Sequence, residues 1–264
     1  MAESLYESAI QNMSATVHQL ALLVPQPQKI PFADSFAYRY VEKTIQQAIV
    51  QKLARYVTTL RATFILLEYG FLQEQASLQR ILDEIQEDVT FLSYALIVGE
   101  VSELHQKFLD AFYQEEFDLT TGKLGEQDRP MVPRKKIRAY IANVEGANQN
   151  PSQGVRVSRE ISKAYSGFIH AASPQVMDMY FGTPPRFHLS GMHGTFRQEE
   201  HREDVWNYVY RGILVFSCAA QALGNAKLCE NILFFAQKFA HQAGKDYGLK
   251  DRSNQPEVDG NSNG

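Results

Sequence analysis

From residue 34 to residue 96 the chain contains no proline and a single glycine, Gly70, while apolar side chains recur three and four positions apart. Tyr38, Val41, Ile45, Ala48, Ile49, Tyr56, Leu60 and Phe64 trace one face, and Leu72, Leu78, Ile81, Leu82, Ile85, Val89, Leu92 and Leu96 trace another. A stripe of this period and length is buried only when helix packs on helix. Asp34 or Ser35 is the expected cap of a helix running to about Glu68, Gly70 its stop, and Phe71 the start of the next. That pair alone commits the chain to a helical architecture.

The flanking segments follow the same period. Residues 3–24 read as a helix through Leu5, Ile10, Met13, Val17, Leu20 and Leu23, and the linker PQPQKIP ends it. Gly99 interrupts before a shorter helix, EVSELHQKFLDAFYQEEF. In the second half RKKIRAYIANVE, SREISKAYSGFIHAA, PQVMDMYF, EDVWNYVYRGILVFSCAAQAL and NAKLCENILFFAQKFAHQAG are helical segments. There is no fixed-period repeat and no strong alternating strand, although FHLSGMHGTF could form a small hairpin with Ser-Gly at its turn. The expected fold is all-α: a multi-helix bundle of long antiparallel helices, with an irregular polar loop insertion and a disordered C-terminal tail. The expected divisions are a long-helix region 1–117, a loop 118–133, a helical region 134–247 holding the polar loop 182–197, and a tail 248–264; one domain over 3–247 is the alternative.

Bulk chemistry narrows the function classes. Hydrophobic residues are 44% and charged residues 21%, with a net charge of -4, which leaves no global footprint for nucleic acid. Cys218 and Cys229 lie in apolar helical pattern, as small buried residues of a reducing compartment. No basic region precedes an apolar run at the N-terminus, and the longest apolar runs, such as GILVFSCAA, fall short of the roughly 20 residues a membrane helix needs. The expectation is a soluble cytoplasmic protein with no membrane partner.

One stretch is not plain amphipathic helix. AYSGFIHAASPQVMDMYFGTPPRFHLSGMHGTFRQ holds three of the seven histidines, His170, His188 and His193, together with prolines and glycines. Ser166 and His170 stand one helical turn apart, so they could touch as a nucleophile and base, or simply order the helix beside Tyr165. In PPRFHLSGMHG, prolines restrict the backbone, glycines admit a close neighbour, and Arg186 with its imidazoles suits a phosphate or carboxylate. Tyr165, Ser166, His170, Arg186 and His188 are the candidate ligand-binding residues. His188, His193 and His201, with Asp178 or Glu200, are of the types zinc accepts, but their spacing matches no metal motif, so neither metal nor cofactor is expected.

Arg186 and His193, in RFHLSGMH, also satisfy an arginine and a histidine separated by four to six residues. With the long-helix bundle, this resembles HEPN-type proteins, a superfamily of helical nucleotide-binding and ribonuclease domains, over about residues 134–245. The resemblance implies a metal-independent endoribonuclease of a bacterial defence or toxin system. It assigns Arg186 and His193 as the RNA-cleaving pair, assembled across a homodimer. The chain departs from that pattern where Pro-Pro and Ser-Gly replace a helix start. A Tyr…Ser…His helix such as YSGFIH is also similar to segments of uncharacterised bacterial helical proteins, a likeness that carries no activity. The reading that asks least is a binding or interaction module, with a polar site around 165–193 and an anionic ligand or RNA as partner. Elsewhere, PRKKIRAY reads as a solvated basic face, DEIQED as the polar side of a long helix, and Trp206, Tyr208 and Tyr210 as core or interface packing.

Overall fold

The computed structural model describes residues 2–125, 128–129, 131–146 and 165–245. The expected tail and the first half of the segment SREISKAYSGFIHAA lie outside the described residues. The elements run α1 (Ala2–Ala21), β1 (Gln28–Phe32), β2 (Ser35–Arg39), α2 (Ile45–Glu68), α3 (Leu72–Val98), α4 (Glu103–Tyr113) and α5 (Arg134–Glu145). There follow a helical turn over 165–169, α6 (Ser173–Met177), β3 (Tyr180–Phe181), β4 (Arg186–Phe187), α7 (Phe196–Ala222) and α8 (Ala226–Gln242). The fold is all-α, and none of the described helices is long and apolar enough to cross a membrane.

Two helical hairpins make the frame. Tyr69-Gly70-Phe71 joins α2 to α3, and Leu223-Gly224-Asn225 joins α7 to α8; connections this short make each pair antiparallel. Helix α3 packs on both α2 and α7, α1 lies along α2, and α5 lies along α3. Leu53 and Leu60 of α2, Phe91 and Leu92 of α3, Ile213 and Phe216 of α7 and Phe239 of α8 share one buried cluster. Buried side chains from both halves of the sequence thus meet in one core.

Three expectations need correction. The helix placed from Asp34 starts at Ile45, because Thr44 and Gln47 form a reciprocal capping box while residues 28–39 pair as an antiparallel hairpin. Its turn places Ala33 at φ 46, and Phe36 and Tyr38, expected in a helix, share the exposed face of a strand, with Ala37 and Arg39 half-buried on the other. The second hairpin is one step upstream of FHLSGMHGTF: Tyr180 pairs with Phe187 and Phe181 with Arg186 across Gly182 to Pro185, and α7 begins seven residues earlier than EDVWNYVY suggests.

The third correction concerns charge. The acidic run on α3 and the basic run on α5 are not two solvated faces; they pair with each other. Arg138 Nε donates to Glu87 Oε1 at 2.7 Å, Arg134 pairs with Asp88, and Lys52 of α2 reaches Asp88 Oδ2 at 2.7 Å. Asp83 turns to the other side and accepts from Arg211 Nη2 of α7 at 2.9 Å. Asp83, Asp88 and Arg138 are buried. Burial raises the Asp83 and Glu87 carboxyls above their ordinary values, with the arginines working in the opposite direction.

Candidate functional site

The stretch singled out from the sequence forms an insertion clamped onto the corner between α2 and α3. Met192 N donates to Gly70 O at 2.7 Å, and Gln198 Nε2 of α7 donates to Leu67 O at 2.7 Å and Glu68 O at 3.1 Å. Leu67 and Glu68 lie in the last turn of α2 and Gly70 in the connection that follows, so the insertion adds donors where the helix runs out of its own. Gln198 Oε1 in turn accepts from Gly194 N at 2.7 Å. The approach is so close that a Cβ on Gly191 would lie 2.5 Å from Tyr69 O, while one on Gly70 would strike the backbone of Met192 and His193. Both glycines hold positive φ, 93 and 76, and so meet two demands at once.

Above this clamp the side chains split into two groups. Tyr165 turns inward: its hydroxyl donates to Asp204 Oδ2 at 3.3 Å and its ring stands edge-on to Tyr208, centroids 6.0 Å apart. Burial raises the Tyr165 hydroxyl above its ordinary value. Ser166 and His170 are joined through the backbone, His170 N to Ser166 O at 3.2 Å, with no hydrogen bond between their side chains. His170 is exposed on the turn that follows.

The second group surrounds the hairpin. His188 stacks on Phe181, centroids 3.9 Å apart and planes 15° off parallel, and its Nε2 lies 3.2 Å from Phe181 O. That imidazole serves the hairpin's own packing. Arg186 and His193 are both exposed, and neither makes a side-chain hydrogen bond or ion pair to a described residue. The hairpin and the residues that follow it hold large apolar groups that packing leaves outside: Phe187 is 45% exposed, Tyr180 42%, Leu189 78% and Phe196 57%. Tyr180 meets Phe187 edge-on at 4.9 Å, and Phe196 meets Phe181 at 5.5 Å. In the sequence, the alternation of Phe187 and Leu189 with Arg186 and His188 in RFHL was the available signal for part of this apolar surface.

The ligand set considered for metal disperses. His201 Nδ1 lies 2.7 Å from Gln75 Oε1, while Asp178 and Glu200 both engage Arg197, at 3.1 and 3.0 Å. Among the described residues no three His, Cys, Asp or Glu side chains are grouped to hold a metal ion.

A polar row that the sequence did not suggest runs beneath Tyr165. Gln75, Gln79 and Asp83 follow one another at four-residue spacing along α3, facing His201, Tyr208 and Arg211 of α7. Gln79 is 1% exposed, and among the described residues both polar atoms of its carboxamide lack a hydrogen-bond partner, as do Gln75 Nε2 and Asp83 Oδ2. Tyr56 closes the row: its hydroxyl accepts from Gln86 Nε2 at 2.7 Å and donates to Tyr208 O at 2.8 Å. Desolvation in this seam lowers the His201 pKa below its ordinary 6.5, favouring the neutral ring.

No family model matches the chain, and no curated protein or solved structure is significantly similar to it.

Proposed function

We propose that this chain is a protein-binding module and that the surface of residues 180–196 is where it binds. The observation that carries the reading is a contradiction within the insertion. Its backbone is fixed to the α2–α3 corner by hydrogen bonds and by two glycine contacts too close for any side chain. Yet it holds Tyr180, Phe187, Leu189 and Phe196 in solvent, where each costs hydrophobic free energy. A rigid platform that keeps aromatic rings and an arginine exposed has the residue chemistry of interface hot spots. Residues needed only to connect two helices would not require it.

Proximity labelling in the source cells tests the proposal, with wild-type protein beside Phe187→Ala and Leu189→Ala. Both sites are exposed, so the fold should be retained, which circular dichroism checks. A set of neighbours found with the wild type and lost in both variants supports the reading. An identical set in all three samples overturns it.

A further inference from the structure

On the basis of that reading, we infer the partner's chemistry: a short segment carrying one carboxylate between large apolar side chains, with the carboxylate held by Arg186. The argument starts from charge. Within residues 177–200 the other charged side chains are already engaged: Arg197 with Asp178 and Glu200, and Glu199 with Arg202 at 3.0 Å. Of the Asp, Glu, Lys and Arg residues of that segment, only Arg186 has no ion pair to a described residue, and its guanidinium projects from a strand whose neighbour, Phe187, is an exposed ring. A guanidinium presents parallel N–H donors that fit a carboxylate bidentately, and partial shielding by apolar neighbours strengthens the pair.

The same arrangement argues against a polyanion. A nucleic-acid strand needs a run of cations along its phosphates. Here residues 177–200 carry two arginines, Arg186 and Arg197, against the three carboxylates of Asp178, Glu199 and Glu200, and Arg197 is already paired, so the segment offers no run of free cations. A segment with a single acid gains the Arg186 contact and needs no second cation. Its apolar flanks then cover Tyr180 and Phe187, or Leu189 and Phe196, so affinity comes from ring burial and register from the ion pair.

A peptide-display selection on the whole purified chain decides this, performed in parallel on wild type and on Arg186→Glu. Selected peptides are then synthesised and titrated by fluorescence anisotropy against wild type, Arg186→Glu and Phe187→Ala. Wild type is expected to enrich Asp or Glu next to aromatic or aliphatic residues, and Arg186→Glu to enrich Lys or Arg at that position. Peptides from the wild-type selection should bind Arg186→Glu at least about 10- to 100-fold more weakly, the range for a charge-assisted pair. If the wild-type peptides lose affinity in Phe187→Ala but show no acidic preference, the carboxylate inference is wrong and the binding surface stands. If they bind Phe187→Ala as well as wild type, or no peptide is enriched, both are wrong.

Discussion

Gly212 lies in the middle of α7, and replacing it with alanine should destabilise the protein, against the usual sign for that change. At an open helical position alanine is favoured over glycine by roughly 1 kcal/mol. Here a Cβ would lie 2.5 Å from the Tyr56 hydroxyl oxygen, 2.8 Å from Cε1 and 2.9 Å from Cζ. Tyr56 cannot easily retreat. It is fully buried, its ring is 5.9 Å from that of Phe216, and its hydroxyl ties Gln86 of α3 to the Tyr208 carbonyl of α7. Overpacking costs about 1–3 kcal/mol. Displacing the hydroxyl leaves the buried Gln86 donor unmatched, at about 1–3 kcal/mol more. After the helix-propensity gain, a loss of about 3 kcal/mol is expected, or roughly 6–12 °C in Tm for a chain of this size. Calorimetric melting of Gly212→Ala, Tyr56→Phe and the double variant measures it. Removing the hydroxyl removes the shortest contact, so the double variant should lose less than the two single losses added together. A Gly212→Ala protein that melts at or above the wild-type temperature would refute the close approach of α2 to α7 at this point.

Gln79→Met keeps the length of the side chain and removes two buried polar atoms that have no partner among the described residues, so the urea midpoint should rise by an amount worth about 1 kcal/mol or more with an unchanged slope. A fall would mean that the carboxamide is hydrogen-bonded to a guest in solution. His201 should make the protein acid-sensitive: with its folded pKa below 6.5, the unfolded state binds more protons, and stability is lost as pH falls from 6.5 toward the folded value. Asp83 and Glu87, raised by burial, slope in the opposite sense, so the informative quantity is the difference between wild type and His201→Gln in urea midpoints across pH 5–7; identical profiles would show that His201 is not desolvated. Purified protein should leave single-stranded RNA intact; cleavage that disappears in both folded Arg186→Ala and His193→Ala would instead make RFHLSGMH a ribonuclease motif.

Much of the fold is local, and that part was legible. The stripes of α2, α3 and α7 repeat at helical period, and Gly70, Gly99 and Gly224 mark stops that the structure uses, each at positive φ. Where the local signal was ambiguous the reading failed. Tyr38 and Val41 fit a helix spacing as well as Phe36 and Tyr38 fit a strand, and the choice between them fell to the Thr44–Gln47 box and the pairing of β1 with β2. A local pattern cannot report a partner strand.

For the candidate site the division is sharper. The composition of residues 165–198 marked an irregular, polar stretch with Arg186, His188 and His193, and that much followed from residue types. Which side chains stay in solvent depends on what is left to bury them. The His188 imidazole was taken up by Phe181, Tyr165 by Asp204 and Tyr208, and the acids beside Arg197 by that arginine. Arg186 and the rings of Phe187 and Phe196 were left outside. Likewise Glu87, Asp88, Arg134 and Arg138 read as solvated because their partners stand some 50 residues away, at separations of 51 for Arg138–Glu87 and 46 for Arg134–Asp88. Helical period is a property of neighbours in the chain, so the sequence alone determined the helices; burial and charge pairing are properties of neighbours in space, so only the tertiary structure could decide which residues face a partner.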